Sequence, residues 1–243
     1  VKPVALDSLP REIKKIETHE SSPKVIKNLF NKGEIQKFLN LYEKLPTTVF
    51  NKKQNVVKKR WLQGYDIELE EKFYQRIQRE IGEFKFDNLK TEDGKEILGL
   101  IQESYAPIGL HVDSGFDLDT QIFKQILIPL TPFGSTIIFK NRYYKTSTNF
   151  TIDPDELKIK NLKYGQNVRS SEHFKFFEKK KFNQKDHEKY LKHEKIENLS
   201  GLEIDLVYEW ELGSMLIFDR SRLHCSSCLI EGKKIGLTTF TKK

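Results

Sequence analysis

The chain has 243 residues, enough for one large domain or two small ones, and its 17 Phe and 9 Tyr can supply an aromatic core. No apolar run approaches the roughly 18–20 residues that cross a bilayer, so no membrane-spanning helix is expected. Two cysteines are too few for a disulfide scaffold, and the formal net charge of +7 is compatible with an anionic partner.

The first 97 residues alternate between short strand patterns and amphipathic helix patterns. Apolar side chains recur at spacings of three and four in both helix patterns, which end before Pro46 and at Gly82. Because a sheet face needs cover, we expect these helices to buttress a sheet from outside. The predicted elements are a strand within 24–32, a helix over 33–45, a strand over 56–62 and a helix over 67–82.

An apolar strand that begins at Leu98 leads through Tyr105 and a Pro/Gly turn to His111. Asp113 follows two positions later, and on an extended segment two such side chains point to the same face. Further along, 125–130 and 135–139 are predicted strands, joined by a turn that contains proline and glycine.

A second polar position comes far downstream. Gly213 opens a turn, an apolar strand follows, and the chain then reaches His224 and a last strand over 234–240. Two imidazoles and one carboxylate on one side of a metal leave positions open for a cosubstrate and O2, the arrangement typical of non-haem Fe(II) oxygenases. His111, Asp113 and His224 are therefore the predicted metal ligands.

Residues 98–140 and 205–241 together resemble the Fe(II)/2-oxoglutarate-dependent oxygenase superfamily. The shared pattern is a His-x-Asp, a distal His after a glycine turn and an apolar strand, and a basic residue about ten positions later, here Lys234. A lysine at this place is similar to that of the collagen-type prolyl 4-hydroxylases. The resemblance implies an α+β chain with a mainly β core, a double-stranded β-helix (a cupin-like jelly roll).

The same resemblance implies roles for particular side chains. The three metal ligands would hold Fe(II), Lys234 would bind the distal carboxylate of 2-oxoglutarate, and Tyr105 and Thr238 would add hydrogen bonds to it. Gly236 would leave room for this cosubstrate. The alternatives are Lys124 as the cationic anchor and Tyr105 as core filling, and Gln125 is a weaker lining candidate.

Residues 141–204 separate the two metal-ligand halves and are longer than in compact members of the superfamily. We interpret them as an insertion, lid-like or recognising substrate. Within 141–200, 14 Lys or Arg stand against 9 Asp or Glu, which is compatible with an anionic substrate or with a lysine-rich composition. The insertion contains three histidines, His173, His187 and His193, and we predict that they lie on a face exposed to solvent. Cys225 and Cys228 are interpreted as strand-end thiols, rather than a redox pair or half a zinc site.

The sequence thus predicts a single domain over 1–243, cytoplasmic because it has no apolar leader. Its predicted activity is that of an Fe(II), 2-oxoglutarate-dependent dioxygenase that uses O2 and releases succinate and CO2. Asp113 favours hydroxylation over halogenation, and the substrate would be a peptide side chain or a small metabolite. Nucleic acid is disfavoured, because 234–238 lacks the Arg-rich strand of AlkB-like demethylases. The alternatives are an inert cupin-like metal-binding protein and a module that docks on nucleic acid through the basic insertion.

Overall fold

The structure is a computed structural model that describes residues 19–51, 56–88, 94–113, 122–142, 149–151, 166–168, 180–229 and 232–243. Its helices are α1 (Lys32–Lys44), α2 (Ile67–Ile81) and α3 (Gln184–Tyr190), with a 3-10 helix over Ile196–Leu199. Its strands are β1 (Lys24–Ile26), β2 (Thr47–Asn51), β3 (Val56–Leu62), β4 (Lys85–Phe86), β5 (Ile97–Ser104), β6 (Ile122–Pro129), β7 (Ser135–Arg142), β8 (Asn149–Thr151), β9 (Gln166–Val168), β10 (Ile204–Glu209), β11 (Met215–Asp219), β12 (Arg222–Ser226) and β13 (Lys234–Lys242).

Two antiparallel sheets form the body of the molecule. The major sheet has the order β1-β11-β6-β13-β5-β3-β2, with β4 paired to β13, and the minor sheet has the order β10-β7-β12. A separate parallel pair joins β8 and β9. From β6 onwards the chain crosses repeatedly between the two main sheets, as in a jelly roll, so the predicted mainly β architecture with outer helices is confirmed.

The two N-terminal helices form where their caps and apolar periods predict them. Asn31 and Glu34 make a capping box at the start of α1, and the Asp66 side chain accepts a hydrogen bond from a backbone N–H at the start of α2. Gly82 ends α2 with a φ of 74°, a conformation that favours glycine. No helix among the described residues is long and apolar enough to span a membrane.

The major sheet has apolar side chains packed on both of its faces. Its outer face packs on α1 and α2, and its inner face looks towards the minor sheet. The outer core contains Phe38, Trp61, Phe73, Ile126, Ile128 and Leu237. The inner core contains Leu127, Leu216 and Phe218 with Ile138 and Tyr208 of the minor sheet. Since successive side chains of a strand alternate between faces, the register tells which polar residues share the space between the sheets.

The segment from Lys180 to Glu203 covers the opposite, outer face of the minor sheet. The apolar residues that pack there are Phe182, Leu191, Leu199 and Leu202, against Ile137 and Phe139. This part of the predicted insertion thus lies behind the minor sheet. Residues 143–148, 152–165 and 169–179 of the predicted lid-like insertion are outside the described ranges.

The predicted solvated face is wrong for His187 and His193. Nε2 of His187 lies 2.9 Å from the Glu194 carbonyl oxygen, and both ring nitrogens of His193 are buried. Burial, with a smaller contribution from the charge of Lys234, lowers the pKa of His193 to about 4, so the ring is neutral near pH 7. The lysines that suggested solvation point elsewhere because the segment packs against the sheet. His173 is outside the described ranges.

Candidate metal centre

The structure brings His111, Asp113 and His224 together at one end of the space between the sheets. The backbones of His111 and His224 form an isolated antiparallel bridge with two N–H···O distances of 2.9 Å, and their ring centroids are 4.1 Å apart. Oδ2 of Asp113 lies 3.2 Å from Nε2 of His224 and 3.6 Å from Nε2 of His111. One ligand atom from each residue falls within 4.8 Å of the others, so the group can hold a metal ion.

Backbone carbonyls orient both imidazoles. Nδ1 of His111 lies 2.7 Å from the Gly109 carbonyl oxygen, and Nδ1 of His224 lies 3.0 Å from the Arg222 carbonyl oxygen. A carbonyl only accepts, so each Nδ1 carries the proton and donates it. The lone pair of each Nε2 is then free for a metal, as second-shell partners arrange in metal sites.

Electrostatics keeps Asp113 ionised. Burial raises the pKa of its carboxyl, but the charges and hydrogen bonds of His111 and His224 outweigh burial and hold the pKa well below its usual range. Burial lowers the pKa of His111, and the Asp113 charge more than reverses this. Burial and repulsion from His111 lower the pKa of His224. A metal cation can take the place of a proton between the Asp113 carboxylate and the two imidazoles. Two imidazole nitrogens and one carboxylate oxygen suit Fe(II), Ni(II) or Zn(II).

Lys234 is the second charged feature of this space. It is only 3% exposed, and its Nζ donates to Ser226 Oγ at 3.0 Å and lies 4.6 Å from the Trp210 ring centroid. No carboxylate among the described residues forms an ion pair with it. Burial lowers the pKa of Lys234 to about 8. The other partner of the Lys234 ammonium is the Ser135 carbonyl oxygen at 3.5 Å. A buried ammonium that faces a hydroxyl, a carbonyl oxygen and a ring, with no described carboxylate, is poorly compensated, so an anion at this place would be stabilised.

Of the predicted cosubstrate ligands, Thr238 shares the inner face with Lys234 and Tyr105 does not. Thr238 lies four positions along β13 and pairs with Leu127. Tyr105 is 55% exposed and its hydroxyl donates to Glu103, which Tyr42 and Lys233 also contact. Because Glu103 points to the helix-covered face, the structure places the Tyr105 hydroxyl away from the metal group.

Two further expectations change with the structure. The ring of Trp210 covers Gly236: a Cβ there would lie 2.7 Å from Trp210 Cη2, so Gly236 makes room for this ring rather than for a ligand. Lys124 is not a free anchor, since its ammonium pairs with the buried Asp219 carboxylate. Gln125 does line the metal group, with Nε2 3.5 Å from His224 Nε2 and a buried Oε1 without a partner in the described part of the chain.

Sequence reasoning missed three residues near this group. Trp210 and Ser226 surround the Lys234 ammonium, and Glu194 accepts a hydrogen bond from the Leu110 N–H beside His111. Trp210 and Glu194 come from segments distant in sequence, so spacing carried no signal for them. Ser226 follows His224 by two positions on β12, and the alternation of side chains along a strand could have indicated it. Both cysteines are free, and burial raises the pKa of the Cys225 thiol well above its usual range, which keeps it protonated.

No protein-family model matches the chain, and no curated protein is similar to it. Solved structures do share its fold. HygX from Streptomyces hygroscopicus, solved with nickel and 2-oxoglutarate bound, has a TM-score of 0.50 at 14% identity and covers 97% of this chain and 87% of its own. SnoN, a non-heme alpha ketoglutarate dependent epimerase from nogalamycin biosynthesis, has a TM-score of 0.50 at 8% identity over 96% and 84%.

A viral collagen prolyl hydroxylase from Paramecium Bursaria Chlorella virus-1 is also similar, with a TM-score of 0.49, 10% identity, and coverage of 91% and 96%. At such identities the likeness of HygX and SnoN concerns the fold alone. The chain therefore has the double-stranded β-helix fold of the 2-oxoglutarate/Fe(II) oxygenases, as the sequence predicted. Its chemistry has to be inferred from its own residues.

Proposed function

We propose that this protein is a mononuclear non-haem Fe(II), 2-oxoglutarate-dependent dioxygenase. The observation that carries the proposal is the pairing of two features between the same two sheets. One is the His111–Asp113–His224 group, and the other is the buried ammonium of Lys234 with no described carboxylate beside it. 2-Oxoglutarate matches this pair, because one end chelates a metal and the other end is a carboxylate.

Each side chain has a definite task in this proposal. Nε2 of both histidines and the Asp113 carboxylate bind the metal, and the Gly109 and Arg222 carbonyls hold the rings in the required tautomer. Lys234 forms an ion pair with the distal carboxylate, and Thr238 lies on the same face to add a hydroxyl. The Trp210 ring shields that ion pair from water. Tyr105 contributes only if its hydroxyl leaves Glu103.

Bound iron supplies the activation of O2, coupled to decarboxylation of 2-oxoglutarate. The overall reaction inserts one oxygen atom into a C–H bond of a peptide side chain or small metabolite and the other into succinate, with release of CO2. An inert cupin-like metal-binding protein explains the three ligands equally well. It gives no role to Lys234, whose burial without a described counter-charge opposes stability.

The test is an anaerobic titration of metal-free protein with Fe(II) and then 2-oxoglutarate, observed by visible absorption. We expect a metal-to-ligand charge-transfer band that is absent in His111→Ala and needs much more 2-oxoglutarate in Lys234→Ala. Lys233→Ala is the matched control, since Lys233 is exposed and pairs with Glu103 on the other face. A folded wild type that binds metal and gives no band favours the inert binder.

A further inference from the structure

The inner face of the major sheet extends past the metal group onto β5 and β3. Directly opposed residues of antiparallel strands point to the same face. Gly236 of β13 pairs with Gln102 of β5, and Gln102 pairs with Lys58 of β3. One step along, Thr238 pairs with Leu100, and Leu100 pairs with Arg60. The register therefore places Lys58 and Arg60 on the face that carries Lys234 and Thr238.

The alternate residues of β3 point the other way, which confirms this direction. Trp61 is fully buried in the core beneath α1 and α2. Lys59 donates from Nζ to the Tyr42 carbonyl oxygen at 2.7 Å and lies over the Tyr42 ring. The same strand thus presents one cation to the helices and two cations to the space between the sheets.

This part of the inner face is open. On β5, Leu100 and Gln102 are partly exposed while the other residues of the strand are buried. Thr238, Lys58 and Arg60 are also partly exposed. The partly exposed residues are neighbours across three strands, so they form one wall of a cleft rather than isolated gaps.

The cleft wall lies beside the metal group. Phe240 lies two residues past Thr238 on β13 and pairs with Gln125 of β6. Nε2 of Gln125 is 3.5 Å from Nε2 of the metal ligand His224, so the sheet continues from the wall to the metal group. A molecule held by this wall would have its other end near the metal.

The charge of the wall is one-sided. Neither Lys58 nor Arg60 forms an ion pair with a described carboxylate, in contrast to the exposed lysines Lys24, Lys27 and Lys72. The register places no Asp or Glu on the inner faces of β3, β5 and β13. Asp113 lies nearby, but its carboxylate is one of the three proposed metal ligands. Two neighbouring cations without a counter-charge among the described residues attract an anion and repel cationic molecules.

We propose that Lys58 and Arg60 bind an anionic group, a carboxylate or a phosphate, on the primary substrate. The proposal deepens the function above, on which it rests for the position of the reactive centre. An acid group at β3 fixes one end of a small molecule and leaves a C–H bond elsewhere in it to face the metal. The Arg60 guanidinium can form a bidentate pair of hydrogen bonds with the anionic group, and the Lys58 ammonium contributes a point charge.

Three small probes with the same apolar body test the charge requirement: benzoate, phenyl phosphate and neutral benzamide. Each is titrated calorimetrically into protein saturated with Ni(II) and 2-oxoglutarate, which does not turn over. We expect saturable binding of at least one anion, and the preferred anion distinguishes a carboxylate from a phosphate. Benzamide should bind about tenfold more weakly or not at all, because its neutral amide forms no ion pair with Lys58 or Arg60.

The variants are Lys58→Gln and Arg60→Gln, each alone and together, and Lys59→Gln is the control for the single variants, because it removes one positive charge from the outer face of the same strand. The double variant should lose about tenfold or more in anion affinity, and the control should keep it. Equal binding of benzamide, unchanged affinity in the double variant, or no anion binding by wild type overturns the proposal. Ni(II) and 2-oxoglutarate affinities from the same titrations report separately on the proposed function.

Discussion

At the scale of single residues, Lys234 opposes stability in the form of the protein without bound anion. Its pKa falls from 10.5 to about 8, which corresponds to a cost of about 3 kcal/mol for keeping the ammonium buried at neutral pH. Methionine has a similar length and no charge. We therefore expect Lys234→Met to raise the free energy of unfolding by roughly 1–3 kcal/mol, measured by urea denaturation, and to abolish 2-oxoglutarate binding.

The difference in the free energy of unfolding between Lys234→Met and wild type changes with pH in a definite direction. Between pH 8 and 10.5 the unfolded lysine holds its proton and the folded one has lost it, so wild-type stability rises with pH in this interval. The advantage of Lys234→Met should shrink from pH 7 to pH 10. A variant that is less stable than wild type at pH 7 would show that the ammonium is well paired.

Binding of 2-oxoglutarate should weaken as the pH rises above about 8, because the neutral amine no longer attracts the distal carboxylate. Lys234→Arg keeps its charge throughout, since a guanidinium does not titrate in this range. We expect the dissociation constant of wild type, measured with Ni(II) in place of iron, to increase between pH 7.5 and 9.5 while that of the arginine variant stays flat. If the dissociation constants of both proteins increased in parallel with pH, a group other than Lys234 would be the one that titrates.

At the scale of elements, the segment behind the minor sheet supports the metal ligand His111. Glu194 accepts a hydrogen bond from the Leu110 N–H and another from Asn198 Nδ2 at 3.2 Å. It thereby fixes the loop whose Gly109 carbonyl orients the His111 ring. Removal of this carboxylate frees the loop without touching a ligand.

We expect Glu194→Ala to lower Ni(II) affinity by about 10–100-fold, the usual range for loss of a second-shell partner. Glu197→Ala, an exposed change in the same segment, is the control. Circular dichroism should show both variants folded. Equal metal affinity in the two variants would mean that the loop holds its geometry without Glu194.

Local patterns predicted the elements well and their contacts poorly. The helix periods ended at Pro46 and Gly82 as expected, and the strand patterns found β3, β5, β6, β7, β11 and β13 within a few residues. The predicted position of the Tyr105 side chain differs from the structure because side chains alternate between the two faces along a strand. Lys234 pairs with Ser104 on the inner face, so the next residue, Tyr105, faces away. Trp210, which fills the space over Gly236, comes from another strand's end, and no spacing rule connects the two.

At the scale of the whole molecule, a buried ionic cluster joins the two sheets at Asp219. Its carboxylate pairs with Lys124 of the major sheet and with Arg142 of the minor sheet, the latter at 2.7 Å. It also accepts a hydrogen bond from the backbone N–H of Ser21 at 2.9 Å, which fastens the chain before β1. Sequence reasoning considered Lys124 alone as an anchor, because the partner that neutralises it is 95 positions away.

Asp219→Ala should therefore destabilise the whole fold rather than one loop. It leaves the Lys124 and Arg142 charges buried without their shared partner, and loss of one member of a buried ionic set costs about 3–5 kcal/mol. We expect one cooperative urea transition at a clearly lower midpoint, with the N-terminal strand and the core unfolding together. Glu68→Ala, which breaks an exposed pair with Lys72, should leave the midpoint unchanged. If loss of Asp219 lowered the midpoint no more than loss of Glu68, water or a neighbouring acid such as Glu20 would be compensating the cations, and the two sheets would be held together by their apolar core alone.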